Sequence, residues 1–443
     1  MTAIWPSSAT TPAAVWSGLD RRAVAGWAAY TATGAAEADG AAPPVLTTDV
    51  VADTETTALR LAELITAFPE RAFGGDRSAW LGYLRLPPEE AELIAEALEH
   101  PHLAKVATAF LRPDLLVTEG GLRLVGLDVA AAPAGLSACA RHAAAAAGSG
   151  FARHLAGEGL RLHRADTARI WLEVFGSLLR ATGDGPLHVF AVTDGPAGPT
   201  GDRYLADLIR SGGYRIGSGT VHDLELTDEG AYFEGQRMHV VLAGHPWEQT
   251  RRSVPPAVTR RLMQLDAAGK VDFIGSPAAA LYDSKANLAL LFDARARALL
   301  TAAERELVRA HIPETRILDA CSLDWALAQR NRLVCKPAAA HGGEGIAFGP
   351  AYGDAEWAAE LRRRLADPGR CYVVQRREPL ARVTLPGAVP AERELVLAPL
   401  LFGARPAGIL VRHAAPRADS AVSAREGAET AGALTLRRTT PLG

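Results

Sequence analysis

Lysine is nearly absent from this sequence. Of 47 basic residues only four are lysines, Lys105, Lys270, Lys285 and Lys336, and arginine supplies the rest. A chain that prefers guanidinium so strongly keeps an ammonium where a compact point charge is wanted. Cysteine is scarce too: Cys139, Cys321, Cys335 and Cys371 lie far apart with no CxxC pair, which excludes a cysteine zinc site and a disulfide framework. Cys335 and Cys371 sit in apolar, strand-like runs and are expected to be buried free thiols. Charge of one sign is missing as well. The net charge is −3 and the arginines are scattered among acidic residues, so neither nucleic acid nor an anionic membrane surface is an expected partner. No window of about 18 apolar residues occurs, as a membrane span would need. The first residues lack a basic segment followed by an apolar core, so a cytoplasmic protein is expected. Three motifs are absent: the helix-opening phosphate loop GxxxxGK[ST], the GxGxxG dinucleotide turn and the GxSxG nucleophile elbow. Without that elbow, the HGG at residues 341–343 is no esterase oxyanion turn.

What is present describes a globular protein, 48% hydrophobic and 22% charged, long enough for roughly two to three domains. Residues 1 to 45, rich in Ala, Thr, Gly and Pro, are expected to be loosely structured. Helices are expected at TETTALRLAELITAF, with Thr54 as N-cap, and at PPEEAELIAEALEH, with Pro and acidic residues in its first turn. LLVTEGGLRLVGLDV, residues 115–129, reads as a hairpin around Glu119, Gly120 and Gly121. Two helical stretches follow. From 186 to 275, strands at PLHVFAVTD, HVVLAG and KVDFIGSP alternate with helices, as in a small parallel α/β unit. SKANLALLFDARARALL and AAERELVRAHI read as two helices. Beyond them RLVCKPA, GIAFGP, CYVVQRRE, ELVLAPLLFG and AGILVRHA read as strands of a mainly antiparallel sheet, interrupted by the helix DAEWAAELRRRLAD. The tail from Pro416, low in apolar residues, is expected to be partly mobile. The fold class is therefore α+β with an α/β unit. Its segments are 1–150 (helices and hairpin), 151–278 (α/β unit) and 279–443 (glycine loop and remaining sheet).

Three places carry chemistry. In CKPAAAHGGEGIAFGP, Lys336 ends a strand and Gly342, Gly343 and Gly345 precede the next. Such a loop lets backbone N–H groups approach phosphate oxygens while the lysine supplies charge, although a plain hairpin looks the same. Lys285, in LYDSKANLALLFD, falls in the first turn of a helix, a poor place for an unpaired cation. It is either an exposed surface lysine or a contact to a ligand phosphate. Asp114 and Asp128 stand at two ends of the hairpin that come together, where they would share a Mg2+ or simply serve as turn residues.

Together these pieces resemble the ATP-grasp carboxylate–amine ligases in their circularly permuted form, as in the synthetase domain of glutathionylspermidine synthase. RPDLLVTEGGLRLVGLDVAAAPAG is similar to that family's R-x-D…E-x-N metal hairpin, with Arg112 and Asp114 matching, Gly126 standing where the family has glutamate and Asp128, still an oxygen ligand, where it has asparagine. FIGSPAAALYDSKANLALLFD resembles its first nucleotide-lysine helix, at Lys285. LVCKPAAAHGGEGIAFG resembles the loop over the phosphates, which would engage Lys336, His341, Gly342, Gly343, Glu344 and Gly345. CYVVQRREPL resembles the adenine-edge strand, at Gln375, and FGARPAGILVRHA a later strand pair ending in Arg412. The resemblance implies an ATP-grasp fold preceded by a small α/β subdomain. It also implies ATP and Mg2+ as cofactors, and an ADP-producing ligase that joins a small-molecule acid and an amine (an amino acid or short peptide) through an acyl phosphate. Arg112 or Arg412 would hold the acyl-phosphate oxygens. A homodimer is left open. Glu344 or Glu394 would compensate for Gly126, and the strand near HVVLAGHPWE has His245 and Glu248 where an arginine is expected. The alternative is a degenerate nucleotide-binding protein without ligase activity, acting as a partner or regulatory module.

Overall fold

The computed structural model describes residues 45–147, 156, 160–163, 165–181, 185–193, 201–385, 391–417 and 421–438. Residues 1–44, expected to be loosely structured, lie outside them. Strand β1 (Val45–Thr47) leads into a long helix, Thr48–Ala72, followed by the shorter helices Arg77–Leu84 and Pro88–Glu99. The hairpin β2 (Phe110–Thr118) and β3 (Gly121–Val129) comes next, then helix Leu136–Ala147, β4 (Leu160–His163) and helix Thr167–Leu178. The middle of the chain holds β5 (His188–Val192), helix Gly201–Ser211, β6 (Arg215–Gly219), the small strands β7 (Glu225–Leu226), β8 (Ala231–Phe233) and β9 (Gln236–Met238), β10 (Val240–Ala243), helix Pro256–Ala267 and β11 (Asp272–Ile274). Then come β12 (Thr315–Ile317), β13 (Leu333–Pro337), β14 (Ala347–Phe348), helix Asp354–Leu365 and β15 (Tyr372–Arg376). The final strands are β16 (Arg382–Leu385), β17 (Ala391–Phe402), β18 (Arg405–Ala414), β19 (Glu429–Gly432) and β20 (Leu434–Arg438).

These strands make a mixed α+β architecture. The largest sheet is antiparallel, in the order β19-β18-β17-β2-β3 with β16 also on β17, so the hairpin at 110–129 is completed by strands from 382 onward. Alternation along β17 sends Leu395 and Leu397 into a core shared with Leu61 and Ile65 of the long helix. Ala398, Leu400 and Phe402 join a second core with Trp171 and Phe175. Both faces are covered, which is why β17 reads as an almost continuous apolar run. The middle sheet is β11-β10-β5-β6 with all pairs parallel, the α/β unit the alternating pattern announced. The third sheet, β12-β15-β13-β14, is antiparallel. Among the described residues no helix is long and apolar enough to cross a membrane.

Local expectations failed where a stronger signal competed. The first helix begins at Thr48, and Thr54 is buried within it, because the apolar stripe extends back through Val50 at helical spacing. SKANLALLFDARARALL is broken into Ala286–Leu290 and Ala294–Arg297 by Asp293, whose side chain accepts from the Arg295 N–H and so restarts the chain as an N-cap. Strand β6 went unseen because RIGSG carries two glycines and little apolar side chain. The described part of the tail is ordered: β19 pairs with β18 and β20 with β1, anchored by fully buried Ala431 and Leu434. Cys335 is buried and Cys371 half-buried, both as free thiols.

Candidate active site

The hairpin register places Arg112 opposite Asp128 and Asp114 opposite Gly126. Residues two apart on a strand, and residues directly across a ladder, share a face, so these four positions line one side of the sheet. The buried Arg112 guanidinium is fixed there by Asp114 Oδ1 at 3.2 Å, the Ala134 carbonyl at 3.0 Å and Asp128 Oδ2. Burial disfavours its charge, but Asp128 and Asp114 more than offset this and hold it protonated. Arg412 arrives from β18, with Nη2 2.5 Å from the same Asp114 Oδ1. Asp114 therefore has two arginine partners.

Opposite this face stand the two unusual lysines. Lys336, in the middle sheet position of β13, is 7% exposed and its Nζ donates to Gln375 Oε1 at 2.6 Å. Gln375 Nε2 in turn donates to Thr315 Oγ1 at 2.9 Å, so each end of that amide has a partner. Burial, aided by the positive charge of Lys285 and only partly opposed by Asp114, brings the Lys336 ammonium down to about 7. Lys285 caps the short helix Ala286–Leu290, and its Nζ donates to the Ala340 carbonyl at 2.6 Å. It is thereby aimed at the glycine loop. Its backbone N–H donates to the Ala338 carbonyl at 2.9 Å, and the helix it begins is anchored by Asn287, which donates to the Leu281 carbonyl at 2.8 Å and accepts from Trp80 Nε1 at 3.0 Å.

The glycine loop folds down over this space. Gly342, Gly343 and Gly345 all have positive φ, at 65°, 85° and 68°. At Gly345 a Cβ would stand 2.9 Å from Pro337 Cγ, so only glycine fits. His341 pins the loop, with Nδ1 3.1 Å from Asp128 Oδ1 and Nε2 2.9 Å from Asp283 Oδ2. Burial works against the imidazolium, but Asp283 and Asp128 together raise it to about 10. Asp128 is held well below the usual carboxylate range: burial opposes its charge, but Arg112, His341 and Lys285 prevail. Burial pushes Asp283 up.

One cavity of about 160 Å3 collects Asp114, Asp128, Lys285, Lys336, Gln375 and Arg412, with His341, Gly342, Gly343 and Glu344 in its rim. Of the residues expected from the sequence, Arg112 and Gly345 stand just behind its wall. Glu394 also lines it, whereas Glu344, though in the lining, is engaged by Arg425 at 3.1 Å. The cavity is smaller than the roughly 300 Å3 of an ordinary ligand pocket. Asp283 carries a weak sequence signal, an acid two residues before a rare lysine, and gains its place in the site only through His341.

A cation would find a donor set here. Asp128, Asp283 and His341 bring one ligand atom each within 4.8 Å of one another, and Asp283 Oδ1 is buried with no hydrogen-bond partner among the described residues. Asp114 is not in that group. A second such trio, His102, Asp266 and Asp272, is already filled by Arg180, which reaches Asp266 at 3.0 Å and Asp272 at 2.9 Å.

No protein-family model matches this sequence, and no curated protein does. Among solved structures, the chain is similar to one named "Putative gamma-glutamylcysteine synthetase" from Methylobacillus flagellatus KT. Identity is 10%, with 78% of this chain and 86% of that chain covered, at a TM-score of 0.43. A likeness of that degree carries no inference about chemistry.

Proposed function

We propose that the protein is an ATP-dependent ligase of ATP-grasp type that joins a carboxylic acid to an amine. The observation that carries this reading is the convergence of Lys285 and Lys336, two of only four lysines, from separate elements onto one cavity beneath a glycine loop. Two neighbouring ammonium groups in a buried site repel each other, and a polyphosphate is the anion whose shape and charge resolve that repulsion. Phosphoryl transfer needs positioning and charge neutralisation more than covalent chemistry.

In this reading a substrate carboxylate oxygen bonds to the terminal phosphorus and the bond to ADP breaks, giving an acyl phosphate. The amine nitrogen then bonds to the acyl carbon, the carbon–oxygen bond to phosphate breaks, and the nitrogen releases a proton to solvent. Lys336 and Lys285 would hold the phosphates and Arg412 the oxygens of the transferring group, as suits a planar fork of donors. Asp128, Asp283 and His341 would hold a divalent cation, which would take the place of the proton shared by the His341 ring and the carboxylates; its role would be to neutralise charge between phosphates. Their fit to a cation supports that assignment in place of an Asp114-centred one.

The test is ADP release that requires both an acid and an amine, and its loss in Lys336→Ala. A second reading, nucleotide binding without ligation, is favoured by Gly126 and by the two arginines on Asp114. ATP binding with no turnover across a broad panel of acids and amines would select it.

A further inference from the structure

A second, larger cavity of about 510 Å3 adjoins the first and shares Asp128, His341, Gly342 and Arg412 with it. Its floor is the carboxyl end of the parallel sheet, at Val192, the last residue of β5, Ser218 in β6 and Gly244 after β10. In the order β11-β10-β5-β6 the chain goes from β5 to one side and returns on the other, so the crevice between β5 and β10 is a topological switch point. Open α/β sheets take ligands at that place. The volume is that of a small-molecule site.

The lining states what kind of ligand fits. Val192, Leu205, Ile216, Leu242 and Leu410 make most of the wall apolar. Asp128 is the one carboxylate in the lining among the described residues, and it is held by Arg112 and His341. An ammonium group would therefore find no free anion. A carboxylate would find two donors. Arg412 is 8% exposed, and its Nε is buried with no hydrogen-bond partner among the described residues. Beside it the helix Leu136–Ala147 begins at the cavity, with Leu136, Ser137 and Ala138 in the wall. The Leu136 N–H already donates to the Pro133 carbonyl at 3.1 Å, so the N–H groups of Ser137 and Ala138 are the ones in this first turn that favour an anion.

We infer that this cavity binds the acid substrate, and that the acid is a monocarboxylate with an apolar body and no free ammonium near its carboxyl group. The carboxylate lies at Arg412, on the border with the lysine cavity, and the body extends over the ends of β5 and β10. What is done with the bound acid rests on the ligase reading; that it binds does not.

Calorimetric titration of the full-length protein without nucleotide tests this, using 3-phenylpropionate, its amide and phenylalanine as probes. The acid should bind, and the amide and the amino acid should bind at least about tenfold more weakly, the worth of one charge-assisted hydrogen bond. Arg412→Gln should weaken the acid by about 10- to 100-fold and Arg412→Lys by less. Leu205→Trp, which fills the apolar end away from the lysines, should abolish acid binding while ATP binding, titrated separately, stays unchanged. Phenylalanine binding as tightly as the acid, or an acid affinity indifferent to Leu205→Trp and Arg412→Gln, would overturn the inference. Acid binding without ATP binding would sink the ligase reading and leave this one standing; ATP binding with no affinity for the acid would do the reverse.

Discussion

Gly126 faces Lys285: a Cβ built on the glycine would lie 3.6 Å from Lys285 Cε, an ordinary van der Waals distance. The position that a glutamate occupies in the family resembled is therefore open toward the ammonium and not blocked by backbone. Gly126→Ala should be tolerated, with a gain of about 0.5 kcal/mol from the restricted unfolded chain, read from urea midpoints. Gly126→Glu places a carboxylate beside Lys285 and the cavity. Its affinity for ATP should respond to Mg2+ about tenfold more than that of the wild-type protein, or about 1.4 kcal/mol. Equal responses in the two proteins would remove position 126 from the cation's surroundings.

Lys336 gives a pH signature. Burial and Lys285 lower its ammonium to about 7, so between that value and the ordinary lysine range the folded protein holds fewer protons than the unfolded chain. In that window the lysine's contribution to stability rises with pH. A bound polyphosphate restores the charge. Above pH 7, ATP binding should therefore take up a proton, seen as a buffer-dependent heat in calorimetry, and affinity should fall as pH rises past 7. Lys336→Ala should remove the proton uptake and weaken ATP by about 10- to 100-fold. Proton uptake that persists in the variant would assign it to another group.

His341 ties the glycine loop to Asp128 and Asp283. Its folded value, about 10, lies above the ordinary imidazole value of 6.5. The stability from this contact is thus fully present below about 6.5 and is lost as pH rises through 10. His341→Gln should cost about 3 kcal/mol at neutral pH, the order expected when a buried partner is removed. The gap between the two unfolding midpoints should close as the pH passes 10. A constant gap would mean that the histidine acts through packing alone.

Trp80 and Asn287 are the scaffold beneath Lys285. Asn287 is almost wholly buried and bonded on both sides, to Trp80 Nε1 and to the Leu281 carbonyl. Asn287→Ala leaves both partners unsatisfied, and a loss of about 2 kcal/mol is expected, together with weaker ATP binding as Lys285 loses its fixed starting point. Trp80→Phe, which removes only one donor, should cost less. ATP affinity unchanged in Asn287→Ala would confine that residue to stability.

The sequence made the elements of this site legible one at a time. The hairpin brought Asp114 and Asp128 together, the family resemblance added Arg112, and scarcity singled out Lys285 and Lys336. What stayed hidden depends on contacts between distant segments. Asp283 acquires meaning only because His341, far along the chain, lands beside it. Gln375 is tied to Lys336 and Thr315 at the two ends of its amide, partners that lie 39 and 60 residues away in the chain. Arg412 and Arg112 converge on one oxygen of Asp114, a meeting fixed by the pairing of β17 with β2, which no local pattern encodes. The second cavity was equally out of reach, because β6, one of the strands beneath it, hides in a glycine-rich run.

The parallel pairing of Val45 with Leu434 and the antiparallel pairing of β2 with β17 have a consequence for synthesis. Strands made early cannot find their neighbours until the ribosome has delivered segments made hundreds of residues later, and such distant pairings form slowly. During that wait β2 presents an unpaired edge, the kind of surface that nascent chains aggregate through. Arg412 reaches Asp114 only at the end of that process, so a stalled or truncated nascent chain holds both lysines yet has no completed site.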